Sequence, residues 1–245
     1  MTRAKRADFG DYRIRVSARA KYVSIKVSHL GEVEIVVPQG FDKGKLPDII
    51  EQRRDWIAKT TQRVQAERGS LSRESGILLP EKLSLRALAE EWTITYRATP
   101  GASVSLRPTG RHALLVYGAI ANTDLCRRVL QRWLSHKALQ HFEPWLQQVS
   151  QQTQLPFDKV SVRGQKTRWA SCSSRKTISL NYKLLFLPPD LVRYVFIHEL
   201  CHTVHLNHSS KFWGLVAQKL PGYEPIDQEV GKAWRYVPEW VEQSR

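Results

Sequence analysis

Cysteine is scarce in this chain of 245 residues, which contains only Cys126, Cys172 and Cys201. Three irregularly spaced cysteines are too few for the disulfide framework that stabilises small secreted domains, so the sequence favours a reducing compartment. Cys201 falls within a histidine-rich segment, where we expect it to be a small buried side chain, because free cysteine is among the most buried residue types.

The sequence also lacks a long uninterrupted hydrophobic run. Its most apolar stretch, residues 191–200, is interrupted by Arg193, His198 and Glu199, whereas a membrane helix needs about 20 consecutive apolar residues. Residues 1–10 are basic and polar, without the apolar centre of a signal peptide. We therefore expect a cytoplasmic protein with no membrane partner.

Acidic residues are outnumbered, with 23 Asp and Glu against 38 Lys and Arg and a net charge of +15. The segment from Lys159 to Pro189 has no acidic residue and seven basic ones: Lys159, Arg163, Lys166, Arg168, Arg175, Lys176 and Lys183. Such a surface attracts nucleic acid or another polyanion through non-specific electrostatics, although a solvated basic surface that aids solubility has the same composition. No zinc finger, RNP motif or basic zipper accompanies it.

Alternating apolar and polar residues predict an N-terminal β-rich module with one helix at residues 1–122. The alternation between residues 12 and 37 is typical of a small antiparallel sheet. A helix is expected from about Lys45 to Arg68, and further strand signals occur between residues 78 and 116.

A second domain is predicted at residues 123–245, which gives the whole chain an α+β fold. It opens with a long amphipathic helix, whose expected N-cap is Asp124 and which is expected to kink at Pro144. Strands are predicted at residues 160–163 and 178–184, and a histidine-bearing helix follows them directly.

Residues 198–208 carry the clearest chemical signal and read His-Glu-Leu-Cys-His-Thr-Val-His-Leu-Asn-His. On a helix, the i, i+4 spacing places His198 and His202 on one face, where both imidazoles can bind Zn²⁺ at about 2.0–2.1 Å. Glu199 lies beside them as the candidate general base, which takes a proton from zinc-bound water. A core helix that carries incidental histidines is the alternative, but two buried imidazoles beside a glutamate need polar partners.

A catalytic zinc site usually has a third protein ligand. Four downstream residues are candidates: His205, His208, Glu224 and Glu229. If the helix continued, His205 would lie about 10.5 Å along its axis from His198, too far to share one ion. His208 follows Asn207, a residue that tolerates the left-handed conformation and could turn the chain back towards the metal. We predict His208 as the third ligand, with Glu224 and Glu229 as alternatives.

Several motifs in a fixed order resemble the YgjP-like family of predicted metal-dependent hydrolases, relatives of the WLM and SprT-like metalloproteases in the zincin superfamily. They are Arg168-Trp169-Ala170-Ser171-Cys172-Ser173, Ile178-Ser179-Leu180-Asn181, His198-Glu199-Leu200-Cys201-His202, and Asn207-His208-Ser209 through Phe212-Trp213. The resemblance covers most of the chain and implies a minimal zincin-like metallopeptidase domain at residues 123–245. In that layout a sheet covers the active-site helix and its edge strand pairs with extended substrate. Residues 178–184 are the predicted edge.

Two functions from different classes follow from these patterns. The first is a zinc metallopeptidase that cleaves amide bonds of a protein or peptide with zinc-activated water, with His198, His202 and His208 on the ion and Glu199 as base. The second is a nucleic-acid-associated binding protein with a structural or vestigial zinc site. Glu199 favours the first, because a structural site is more often closed by a fourth Cys or His. The sequence singles out no oxyanion donor among Tyr182, Tyr223, Arg168 and His205.

Overall fold

The structure, a computed structural model, describes residues 12–28, 31–69 and 79–242, with the backbone alone for residues 67–69. The polar segment 1–10, on which the prediction of no signal peptide rests, lies outside these ranges. The chain divides into two compact units, Met1–Arg73 and Glu74–Arg245.

The strands of the described chain are β1 (Tyr12–Ser17), β2 (Ser24–Val27), β3 (Val33–Pro38), β4 (Lys82–Leu85), β5 (Glu90–Ala98), β6 (Val104–Gly110), β7 (Ala113–Gly118), β8 (Lys159–Arg163), β9 (Ala170–Cys172) and β10 (Thr177–Asn181). The α-helices are α1 (Leu46–Gln52), α2 (Arg54–Gly69), α3 (Thr123–Thr153), α4 (Pro189–Cys201), α5 (Ser210–Lys219), α6 (Glu224–Lys232) and α7 (Glu239–Glu242). Short 3-10 helices lie at Lys43–Lys45, Arg86–Leu88, Tyr182–Phe186 and Ala233–Tyr236. The chain is therefore α+β, with a β-rich N-terminal region and a more helical remainder, as predicted.

The first unit contains a three-stranded sheet in the order β1-β3-β2. The prediction of an antiparallel sheet is half right, because β2 pairs antiparallel with β3 whereas β1 runs parallel to it. Strand β3 takes the centre because it is the most apolar strand, and its Ile35 and Val37 form a small core with Leu46 of α1. The single predicted helix is two helices, since Arg53 between α1 and α2 has a non-helical conformation.

The second unit begins with the four-stranded sheet β4-β5-β7-β6, which packs with α3. Ile94 and Val116 of the sheet and Leu130 and Leu134 of α3 belong to one buried core, because alternate strand residues and one helix face turn the same way. The structural division falls at residue 73. The sequence predicts a boundary at residue 122, and this boundary stays a prediction.

Helix α3 begins two residues earlier than predicted. The side chain of Asn122, not Asp124, caps it by accepting a hydrogen bond from the backbone N–H of Leu125 at 3.1 Å. Asp124 instead pairs with Arg127 at 2.8 Å. Pro144 lies within the helix, which continues to Thr153. Asn and Asp are both good caps, so composition alone does not decide between neighbouring candidates.

The second sheet of this unit has the order β8-β10-β9, with β10 parallel to β8 and antiparallel to β9. The prediction that residues 178–184 form an edge strand is wrong. Ile178 and Leu180 are fully buried, so β10 occupies the centre, and the chain then turns into the 3-10 helix at Tyr182–Phe186. The edge next to α4 is β9. Among the described residues, no helix combines the length and apolar character needed to cross a membrane.

Candidate metal centre

Helix α4 presents the first two histidines. Pro189 starts the helix, where the missing N–H of proline costs no hydrogen bond. Its apolar residues, including Val192, Phe196 and Leu200, are buried in the core, and they fix the rotation of the helix. His198 and His202 consequently face a cleft on the other side of the helix.

The chain reverses directly after α4 and brings His208 back to the first two histidines. The backbone N–H of His205 donates to the carbonyl of Cys201 at 3.0 Å, which closes the last turn. Asn207 is not among the described residues with positive φ, so the predicted left-handed turn at this residue is wrong. The reversal is achieved by the turn at residues 202–204 and a bend at residues 206–207.

The three imidazoles form a compact triangle. The Nε2 atom of His208 lies 3.1 Å from Nε2 of His198 and 3.2 Å from Nε2 of His202. Imidazole nitrogens around a tetrahedral zinc ion at about 2.0–2.1 Å are separated by about 3.3–3.4 Å. These two distances fit such an ion to within a few tenths of an ångström, and the three ligand atoms all lie within 4.8 Å of one another.

One hydrogen bond fixes the tautomer of His202. Its Nδ1 lies 2.9 Å from the backbone carbonyl of His205. Because a carbonyl only accepts, Nδ1 carries the proton and Nε2 keeps its lone pair towards the other histidines. His205 therefore contributes its carbonyl to the site, and its imidazole is not in the cluster.

Aromatic side chains hold the histidine rings in place. The fully buried Phe212 of α5 stacks on His202 with ring centroids 4.4 Å apart, and it meets the ring of His198 edge-on at 5.0 Å. Trp213 lies against His208 at 5.6 Å. These contacts restrict ring rotation, so the triangle is preorganised for a ligand.

Burial keeps the imidazoles of His198 and His202 neutral. It lowers the pKa of His198 to about 3, with smaller contributions from the neighbouring His202 and His208. Burial also lowers the pKa of His202. Neutral imidazole is the form that binds metal ions, because protonation removes the lone pair.

Glu199 is 6% exposed and lines the same cleft. Its Oε2 atom has no hydrogen-bond partner within the described chain. Burial raises the pKa of this carboxyl to about 8, and nearby Arg168 and the backbone N–H of Cys172 offset part of the rise. A buried carboxylate oxygen without a partner is costly. The Oε2 atom of Glu199 therefore needs a water molecule or a cation as its partner, which fits a hydrolytic metal site.

The acidic alternatives for a third ligand lie elsewhere. Glu229 forms an ion pair with Arg235 and is 3.3 Å from the hydroxyl of Tyr236. Glu224 is exposed at the start of α6. Neither belongs to the cluster that His198, His202 and His208 form in the described part of the chain.

The cleft beside the histidines has a volume of about 430 Å³. Its walls come from α4 and the segment after it, from β9 with the two residues before it, and from α6. The sequence analysis missed two polar lining residues, Tyr194 and Asp227, whose side chains are joined by a 2.6 Å hydrogen bond from the Tyr194 hydroxyl. Tyr194 precedes His198 by one helical turn, a spacing that could have revealed it. Asp227 lies 29 residues beyond His198, and no local pattern marks it.

Of the four proposed oxyanion donors, Arg168 alone lines this cleft. The buried ring of Tyr182 packs against Gly164. Tyr223 stacks between Tyr194 and Trp213, with centroid distances of 6.4 and 5.5 Å. His205 takes part in the site through its backbone carbonyl and not through its imidazole.

Comparison with known proteins adds independent information. Residues 21–232 match the sequence profile of a family described as "YgjP-like, metallopeptidase domain". A similar solved structure is the metallopeptidase zymogen of Pyrococcus abyssi abylysin, which is 29% identical, with a TM-score of 0.33; the similarity covers 36% of this chain and 90% of that one. No curated protein matches the chain.

Proposed function

Because this chain belongs to the YgjP-like metallopeptidase family, we propose that it is a zinc-dependent peptidase whose ion is held by His198, His202 and His208. The observation that carries the proposal is the triangle of Nε2 atoms with edges of 3.1 and 3.2 Å from His208. Three imidazoles without an oxygen ligand suit zinc better than magnesium or calcium, and three protein ligands leave a fourth position open for chemistry.

The proposed mechanism assigns proton transfer to Glu199. Zinc, when bound, supplies the Lewis acidity that polarises the substrate carbonyl and lowers the pKa of water. Glu199 takes the proton from the attacking water at Oε2, the oxygen without another partner, and returns it to the leaving amine. The backbone N–H of Cys172 faces this carboxylate and steadies it. The burial that raises its pKa makes this carboxylate a stronger base than an exposed one.

We place the peptide substrate along the outer edge of β9. Within the described residues, β9 pairs with β10 alone. The carbonyl of Trp169 and the N–H of Ser173 bond towards the β10 side, at 2.8 and 3.0 Å. Because alternate residues of a strand point their backbone groups in opposite directions, those of Ala170 and Cys172 point outwards. An extended peptide running antiparallel to β9 would pair by β-augmentation with the backbone groups of Ala170 and the carbonyl of Cys172, because the Cys172 N–H bonds to Glu199.

The alternative, a nucleic-acid-associated protein with a structural zinc, has less support. An open cleft and an orphaned carboxylate beside the histidines serve catalysis, and a structural site needs neither. The predicted basic surface also loses a member. Lys183 is buried in an ion pair with Glu242 at 2.6 Å, with both side chains 4% exposed.

Metal content tests the ligand set. We expect one zinc per chain by elemental analysis of the wild type, loss of zinc in His208→Ala, and retention in His205→Ala. His205 is the matched control, because its imidazole lies outside the cluster although it is three residues away. Retention of zinc by a folded His208→Ala variant would contradict the proposal.

Hydrolysis of an unstructured protein such as casein tests the role of Glu199. We expect Glu199→Gln to remain folded and zinc-loaded but to lose about 100-fold or more in rate, because a positioned acid–base group contributes about 10²–10⁴-fold. Wild-type rates in that variant would remove Glu199 from the mechanism.

A further inference from the structure

Arg168 occupies an unusual electrostatic position in the cleft. It is the only Lys or Arg among the described residues that line the cleft. It is exposed, and its guanidinium forms no hydrogen bond or ion pair with another residue in the described ranges. A guanidinium presents five donors in a planar fork that matches a carboxylate. Its bonding capacity is therefore available to a ligand.

The backbone around Arg168 is held unusually firmly for a loop. The side chain of Asn181, which is fully buried, donates to the carbonyls of Gln165 and Arg168 at 2.9 and 3.0 Å. The ammonium of Lys183 donates to the carbonyl of Gln165 as well, at 3.2 Å. Buried polar side chains directed at loop carbonyls specify one conformation, because the alternatives leave them unsatisfied.

A tryptophan pair holds the other side of Arg168. The ring of Trp169 stacks on Trp234 with centroids 4.1 Å apart, and its indole N–H donates to the carbonyl of Val230 at 3.2 Å. Arg168 therefore extends from a fixed point, and a ligand that binds it need not order the loop first. Because binding does not cost the entropy of ordering the loop, a contact with Arg168 contributes more of its energy to affinity.

The acidic residues of the cleft form no hydrogen bond with Arg168, although its charge acts on the nearby carboxyl of Glu199. Asp227 accepts the hydroxyl of Tyr194, and Glu199 is buried with an oxygen that has no partner. Neither carboxylate bonds to the guanidinium in the described structure. The guanidinium of Arg168 can therefore donate hydrogen bonds to an anionic group of the substrate.

We propose that Arg168 selects substrates that carry a carboxylate on the C-terminal side of the scissile bond, either an Asp or Glu side chain or the terminal carboxylate of the chain. This inference rests on the proposed peptidase function and on a peptide antiparallel to β9. Arg168 precedes the first residue of β9, and an antiparallel peptide has its C-terminal residues at that end.

Binding can be measured without turnover in the zinc-loaded Glu199→Gln protein. The probes are fluorescein-labelled peptides of one sequence that carry Asp, Asn or Lys at a single position, each with a free or an amidated C-terminus. We expect the Asp peptide to bind about five- to ten-fold more tightly than the Asn peptide at low salt, and less so at high salt. Free and amidated termini distinguish the two sources of carboxylate.

Charge reversal provides the decisive comparison. Adding Arg168→Glu should reverse the order, so that the Lys peptide binds more tightly than the Asp peptide. Adding Arg175→Glu should preserve the wild-type order, because Arg175 is exposed on the turn after β9 and lies outside the cleft. A ratio of Asp to Asn affinity near one, or the same ratio in both reversals, would overturn the inference.

Cleavage mapping separates this inference from the proposed function. Wild-type digestion of a mixed peptide library, read by mass spectrometry, should enrich Asp and Glu after the cleaved bond, and the Arg168→Glu enzyme should enrich Lys and Arg there. Cleavage with no charge preference would sink the inference and leave the peptidase intact. Charge-dependent binding without any cleavage would instead support the role of Arg168 and contradict the peptidase.

Discussion

The buried ion pair between Lys183 and Glu242 gives the sharpest stability prediction. The charged atoms are 2.6 Å apart, and each side chain is 4% exposed. Replacing Lys183 with Met leaves the carboxylate of Glu242 buried without its cation, which costs about 3–5 kcal/mol. For a folding unit of this size each kcal/mol lowers the Tm by roughly 2–4 °C, so we expect a fall of roughly 10–15 °C.

The double variant Lys183→Met/Glu242→Leu separates the charge from the packing. Removing both charges avoids the unpaired carboxylate, so its free energy of unfolding should return to within about 1 kcal/mol of the wild type. Urea unfolding followed by tryptophan fluorescence, at one fixed zinc concentration, measures all three proteins. A loss below about 1 kcal/mol in the single variant, or a double variant no more stable than the single one, would refute the reasoning.

Three further predictions concern the site and its support. The pKa of His198 falls from about 6.5 in the unfolded chain to about 3 in the folded one, so the folded state binds fewer protons. In denaturant titrations, the free energy of unfolding of the metal-free protein should therefore fall by about 2 kcal/mol between pH 6.5 and pH 5. The His198→Ala variant should show a weaker pH dependence. Burial raises the pKa of the Cys172 thiol to about 11, so alkylation by iodoacetamide should be slow at pH 7.5 and accelerate towards pH 11; a fast reaction at neutral pH would contradict the assignment. Trp234→Ala removes the stack on Trp169, so it should lower the free energy of unfolding by about 3 kcal/mol and raise KM for peptides. Trp234→Phe should keep most of the stability and a KM near that of the wild type. An unchanged KM in Trp234→Ala would show that this stack does not position β9.

Local periodicity accounts for the parts of the site that the sequence predicts well. The i, i+4 spacing and the apolar face of α4 suffice to place His198 and His202 together with Glu199 beside them. His208 joins them in the structure, but the reasoning through a left-handed Asn207 was wrong. A spacing of six residues requires some reversal, and it does not specify which residue provides it.

Long-range pairing accounts for the parts that were missed. Strands β9 and β10 are both short, and their order in the sheet depends on β8, which lies outside either motif. Lys183 was counted with the basic surface because its partner, Glu242, is 59 residues away. Asp227 was missed because its partner, Tyr194, is also distant in the sequence, 33 residues away. Contacts between distant segments leave no periodic trace in the sequence.

The tautomer of His202 argues most directly for a cation among the histidines. With the proton of His202 on Nδ1, its Nε2 presents a lone pair to the Nε2 of His208, 3.2 Å away. A proton on Nε2 of His208 could satisfy that lone pair, but the same atom also faces Nε2 of His198 at 3.1 Å. One proton cannot serve both contacts fully, and a second would set two N–H groups against each other. A single ion that accepts all three lone pairs resolves the conflict at the observed spacing, since its ligands repel one another less than each is attracted to the metal.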